Sequence, residues 1–153
     1  MTAATASRRG RPTVDAGAAT IEFVLTALLL LVPLGYALLA ALQVQRSAFA
    51  VTQAARSGAR AFVTAPTAAI GRQRARRAVG LALGDQGVPV SGARVEIRCS
   101  AVPCLTPAGT VVVVVTTPVR LPVLPDLFGR PAAVVPVSAE QELTVDPYRP
   151  GRP

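Results

Sequence analysis

Residues 17–42 read GAATIEFVLTALLLLVPLGYALLAAL, and this stretch decides how the rest of the chain has to be arranged. From Phe23 to Leu42, twenty residues pass without a charge. A helix rises about 1.5 Å per residue, so the run covers roughly 30 Å, the thickness of a bilayer's hydrocarbon core. One carboxylate, Glu22, stands at the very start of the run. An acid at the lip of a membrane helix is costly unless it is paired or shielded, so its presence there asks for a functional explanation. Pro33 and Gly35 fall inside the apolar run. Proline removes a helix hydrogen bond, and a kink is expected there.

On the N-terminal side, residues 1–16 are small, polar and basic, with Arg8, Arg9 and Arg11 against Asp15. They offer no periodicity to fold. Positive charge ahead of a membrane helix favours keeping that end in the cytoplasm. Everything after Leu42 is then expected outside it, and Arg46 is the only charge soon after the span.

On the C-terminal side the helix is expected to continue. Val44, Ala48, Val51, Ala55, Gly58 and Phe62 recur at spacings of three and four, while Arg46, Gln53, Arg56 and Arg60 fall elsewhere on the wheel. That is an amphipathic continuation ending near Thr64-Ala65-Pro66, for a rod of about forty residues or about 60 Å. A second helix is expected from Thr67 to Leu83 with Gly84 as its stop. It carries Arg72, Arg74, Arg76 and Arg77, read as a solvated or partner-facing surface.

After Gly87 the pattern changes to period two. Arg94 to Cys99 alternates polar and apolar residues as a half-buried strand does. Thr110 to Leu121 reads as a second strand around the β-branched run Val111–Val115, weakened at its far end by Pro118. Pro122, Pro125 and Gly129 mark a loop. Val135 to Val145 alternates again, and Pro136 places its start at a sheet edge or bulge. The tail from Asp146 to Pro153 is Pro-rich and reads as loose. The fold class expected is therefore α+β: a long N-terminal transmembrane and amphipathic helix, a second helix, and a small three-stranded, mostly antiparallel sheet. The divisions are 1–17 leader, 18–62 helix, 63–146 extracytoplasmic domain and 147–153 tail.

Composition narrows the function. Apolar residues make up 51% of 153 residues, and mean hydropathy is +0.46. The net charge is +8, all positive charge is arginine, and there is no histidine. The arginines are spread from Arg8 to Arg152, aromatics are few and no nucleic-acid motif appears, so nucleic acid is not the expected partner. Without histidine and with two cysteines, the usual zinc ligand sets are missing and a Ser-His or Cys-His pair is impossible. No acid pair or phosphate loop is visible. The chain is expected to be no enzyme, with no metal, cofactor or small-molecule substrate. A globular part of about ninety residues is small enough to profit from a staple. Cys99 and Cys104 close the short loop CSAVPC. Outside the cytoplasm a disulfide is permitted, clipping the first strand to the second. The other reading is two unpaired thiols.

The layout Gly17-Ala18-Ala19-Thr20-Ile21-Glu22-Phe23 resembles the processing site of type IV prepilins. There a peptidase cuts after the glycine, and the glutamate becomes the fifth residue of the mature chain. By that resemblance Gly17, Ala18, Glu22 and Phe23 form a processing site. Gly17 lacks a side chain and can take up an extended backbone in a peptidase. The new α-amine of Ala18 would pair with a neighbouring subunit's Glu22 and offset the cost of burying either charge. The plain structural alternative is a bitopic protein in which Glu22 only favours a helix N-terminus.

Residues 8–62, about a third of the chain, resemble the TadE-like family, minor pseudopilins of the Tad (tight adherence, Flp-type) pilus. The likeness rests on the glycine, the Glu-Phe pair, the apolar span with Pro33 and Gly35, and the run Ala54-Ala55-Arg56-Ser57-Gly58-Ala59-Arg60. The C-terminal sheet with its cysteine pair is similar to actinobacterial members. Ala18 departs from the bulky residue of many major pilins, and the chain is far longer than a major Flp pilin, which points to a minor component. The resemblance implies an assembly component of a type IVc pilus or related secretion system. Its partners would be a prepilin peptidase, other Tad pilins and pseudopilins, and membrane lipid. The rival is a secreted domain released by signal peptidase after Ala50, at Ala48-Phe49-Ala50.

Overall fold

The computed structural model describes residues 15–121 and 134–149. Most of the leader, with Arg8, Arg9 and Arg11, lies outside the described residues, as do the expected loop at Pro122, Pro125 and Gly129 and the end of the tail. The described elements run α1 (Asp15–Val63), α2 (Ala68–Asp85), β1 (Arg94–Cys99), β2 (Thr110–Arg120) and β3 (Val134–Thr144). This is the α+β arrangement expected, with the sheet antiparallel throughout. The chain divides into two compact units between Leu38 and Leu39.

The described part of the first unit is helical. It stays helical through Pro33 and Gly35. Its leucines, together with Ile21, Phe23, Val24 and Val32, stand at least half exposed. An 18-residue window in this region reaches a mean hydropathy of 2.4 with 0% of it buried. A soluble core helix hides such a surface against its own domain. This one is left bare by the described residues, and by length and composition it could cross a membrane.

The second unit is built around a face of α1. Val51, Ala55, Gly58 and Phe62 are buried as the spacing implies, while Val44 and Ala48 are half-buried. Ser47, Ala50, Ala54 and Ala59 widen the stripe. Ser47 is buried without cost because its hydroxyl donates to the Gln43 carbonyl one turn back at 3.0 Å. Helix α1 ends at Val63, where Thr64 Oγ1 donates to the Arg60 carbonyl at 2.8 Å.

Helix α2 begins with Thr67 as its N-cap, the side chain accepting from the Ile70 amide at 3.3 Å. Gly71, Ala75, Val79 and Leu83, four residues apart, form its buried face. The four arginines are exposed. The helix does not stop at Gly84, as expected from the sequence, but runs on to Asp85. The stop is Gly87, whose φ of +67° suits a residue without a Cβ. The Gly87 amide donates to the Gly84 carbonyl at 2.9 Å and the Val88 amide to the Leu83 carbonyl at 2.9 Å. Leu83 and Val88 are both buried, the apolar contact that accompanies this glycine cap.

The sheet has the order β1-β2-β3. Val111, Val113, Val115, Thr117 and Val119 of β2 face the core. Ile97 and Gln141 flank Val113, and Val95 and Ala139 flank Val115. Pro118 does not end β2. It lies opposite Pro136 of β3, beyond the last β1 pairing at Thr116. On that side β2 has become an edge, which is where a proline's missing N–H does no harm.

Candidate functional site

The processing residues occupy the first turns of α1. Gly17 is helical, and nothing comes within 4 Å of where a Cβ would stand. Ala18, Ile21, Glu22 and Phe23 are all exposed. Ala18 and Glu22 are four apart and so share a helix face, one turn from each other. Glu22 is in no ion pair among the described residues. The carboxylate thus stands between Ile21 and Phe23, 70% and 74% exposed, at the head of an apolar surface. None of the described residues supplies it with a countercharge there.

The run Ala54 to Arg60 separates into two faces. Ala54, Ala55, Gly58 and Ala59 are buried, and Arg56 and Arg60 are exposed. At Gly58 helix α1 comes close against α2. A Cβ there would stand 2.8 Å from Val79 Cγ2, 3.5 Å from Val113 Cγ1 and 3.6 Å from the Ala75 carbonyl. Gly71 serves the same crossing from the α2 side, with Phe62 Cδ2 at 3.0 Å from its would-be Cβ. The small residues are therefore packing residues. The arginines between them, with Gln53, Ser57, Gln141 and Leu143, line an open groove of about 440 Å³ beside β3.

Cys99 and Cys104 are joined in a disulfide, with Cα atoms 5.2 Å apart. Cys99 is the last residue of β1, but Cys104 lies in the connection before β2 begins at Thr110. The bond therefore fastens the loop to the end of β1, not one strand to the other. The strands are closed at that point by Ser100, whose amide donates to the Thr110 carbonyl at 2.9 Å and whose Oγ accepts from the Thr110 amide at 2.8 Å.

One interaction has no counterpart in the sequence reading. Arg149, in the Pro-rich tail, reaches the end of α1. Its Nη1 donates to the Val63 carbonyl at 2.9 Å, and its Nη2 donates to the Ala65 carbonyl and to the Pro66 carbonyl, the latter at 3.0 Å. A cation at a helix C-terminus satisfies carbonyls that have no partner within the helix and complements the dipole. The tail is aimed by a turn in which the Tyr148 amide donates to Asp146 Oδ1 at 2.9 Å. No signal of composition or spacing could have joined residues 149 and 63.

Glu22, exposed and without an ion-pair partner among the described residues, at the head of an apolar helix, is the arrangement most in need of another molecule. Compared with known protein families, characterised proteins and solved structures, the chain matches none of them.

Proposed function

We propose that the chain is a minor pseudopilin or assembly component of a Tad-type pilus or related secretion system, with a structural and not a catalytic role. One observation carries this reading. Gly17, Glu22 and Phe23 stand in order at the head of a helix whose next residues are apolar and bare, and whose last residues are the core of a folded domain.

In this reading the apolar residues anchor the chain as a single span. The arginines of the leader hold the N-terminus in the cytoplasm, and the α+β domain lies outside. A prepilin peptidase hydrolyses the Gly17–Ala18 peptide bond, leaving a carboxylate on Gly17 and a positive α-amine on Ala18. That amine pairs with Glu22 of an adjoining pilin or pseudopilin, and the half-exposed leucines pack against its helix and against lipid. Each charge then has a partner where water is scarce, which is what makes burial of either tolerable.

The rival, release after Ala50, is disfavoured by packing. Ser47 and Ala50 belong to the buried set and would be lost, and Val51, also fully buried, would become a charged chain terminus. Mass spectrometry of the mature N-terminus tests the proposal. The expected first residue is Ala18. An intact N-terminus from cells with an active prepilin peptidase would overturn it, and a start at Val51 would favour the secreted domain.

A further inference from the structure

Just past the apolar run, the second unit holds a cleft of about 220 Å³. Its walls include Gln43, Arg46 and Ser47 of α1, Ser91 of the connection between α2 and β1, and Arg120 at the end of β2. Arg46 and Arg120 line it, and among the described residues no Asp or Glu does. Neither arginine is in an ion pair, since among the described residues Arg98 alone is, with Glu96 and Glu140. The Ser47 hydroxyl already donates its hydrogen bond to the Gln43 carbonyl. The donors left for a ligand are the two guanidiniums, the Gln43 amide and the Ser91 hydroxyl.

The depth of the cleft is informative. Arg46 is four residues beyond Leu42, on the order of 6 Å further along the helix. The headgroup layer is about 5–7 Å thick on each side of the hydrocarbon core. If residues 23–42 span the bilayer, as proposed above, Arg46 stands among the headgroups. Arg120 is brought to the same cleft from 74 positions later in the chain. Guanidinium forks match phosphate oxygens in pairs, and two arginines with no acid among the described lining residues favour a ligand of net negative charge.

We infer that this cleft binds the phosphodiester headgroup of an anionic lipid in the leaflet next to the domain, held between Arg46 and Arg120. The bound lipid fixes the height of the domain above the bilayer. The inference rests on the membrane reading of residues 23–42.

The test uses the full-length protein in detergent micelles. It is titrated with dioctanoyl phosphatidylglycerol, with dioctanoyl phosphatidylcholine or with inorganic phosphate, and bound molecules are counted by native mass spectrometry. One phosphatidylglycerol should be retained in preference to phosphatidylcholine. Arg46→Gln and Arg120→Gln should each weaken retention about tenfold, the scale of a lost hydrogen bond to a charged group. The double variant should retain none, and Arg72→Gln, away from the cleft, should behave as wild type. Retention by a double variant whose melting curve matches wild type, or equal retention of the two lipids, overturns the inference. Inorganic phosphate retained as well as phosphatidylglycerol, with the same dependence on the arginines, overturns the lipid assignment in favour of a free-phosphate site. Carbonate extraction is run alongside. Wild-type protein released from membranes refutes the membrane reading, whereas lipid retention lost from a wild type that stays in the membrane refutes the cleft alone.

Discussion

Glu22 and Gly58 are single residues of α1 whose roles can be separated by substitution. If Glu22 only favours the helix N-terminus, Glu22→Gln costs about 0.3–1 kcal/mol and leaves assembly intact. If it neutralises a neighbour's α-amine, the change strands a buried positive charge and costs about 3–5 kcal/mol, two to three powers of ten in an association constant. The expected result is normal membrane insertion with weakened recovery of pilus components in pull-downs. Piliation and copurification like wild type would leave only the helix-terminal role. Gly58 concerns the domain itself. A Cβ at 2.8 Å from Val79 Cγ2 forces a β-branched side chain with few rotamers to move inside a packed core. Gly58→Leu is expected to destabilise the domain by about 1–3 kcal/mol, read as a lowered melting temperature of the full chain in detergent. An unchanged melting temperature would mean that the two helices can part at no cost.

At the scale of elements, the β1–β2 connection gives the sharpest prediction. A disulfide closing a loop with a sequence separation of 5 removes little chain entropy, about 2 kcal/mol. The purified, non-reduced protein should show no alkylatable thiol and two after reduction, and a Cys99→Ser, Cys104→Ser variant should lose stability of that order while keeping its strand register. Two reactive thiols in the native protein would refute the bond. The strands were readable because valines alternate against polar residues, and a period of two leaves one face for a core. The stop of α2 was misplaced by three residues because glycine is a signal at either position, and only the left-handed backbone at Gly87 tells the two apart. The alanines of α1 were half-read for a related reason. Alanine carries little hydrophobic signal, so Ala50, Ala54 and Ala59 look neutral until they are found buried in the core. Pairings such as Arg149 with Val63, or Arg46 with Arg120 across one cleft, depend on the finished fold and leave no trace in local spacing.

For the whole molecule, the proposed membrane reading carries an orientation, argued from the charge on either side of the apolar helix. Arg8, Arg9 and Arg11 precede the run and only Arg46 soon follows it, so the leader should stay inside and residues 63–153 should lie outside. Protease added to intact spheroplasts should remove this part. Complete protection, with digestion once the membrane is lysed, would reverse the orientation. The candidate processing site is read from the sequence alone, because a motif of short range needs no tertiary contact; the structure adds that its residues lie in the first turns of α1. The countercharge expected for Glu22, a neighbouring subunit's α-amine, comes from another chain, and none of the described residues of this one replaces it.

The contact of Arg149 with the end of α1 bears on the order in which the domain can close. The carbonyls of Val63, Ala65 and Pro66 precede by 86, 84 and 83 positions the guanidinium that satisfies them. Synthesis therefore delivers the first helix well before its closing partner, and before β3, which precedes that partner in sequence. The end of α1 stays unlocked until Arg149 has been made, so the helix that starts the domain is among the last parts of it to be fastened.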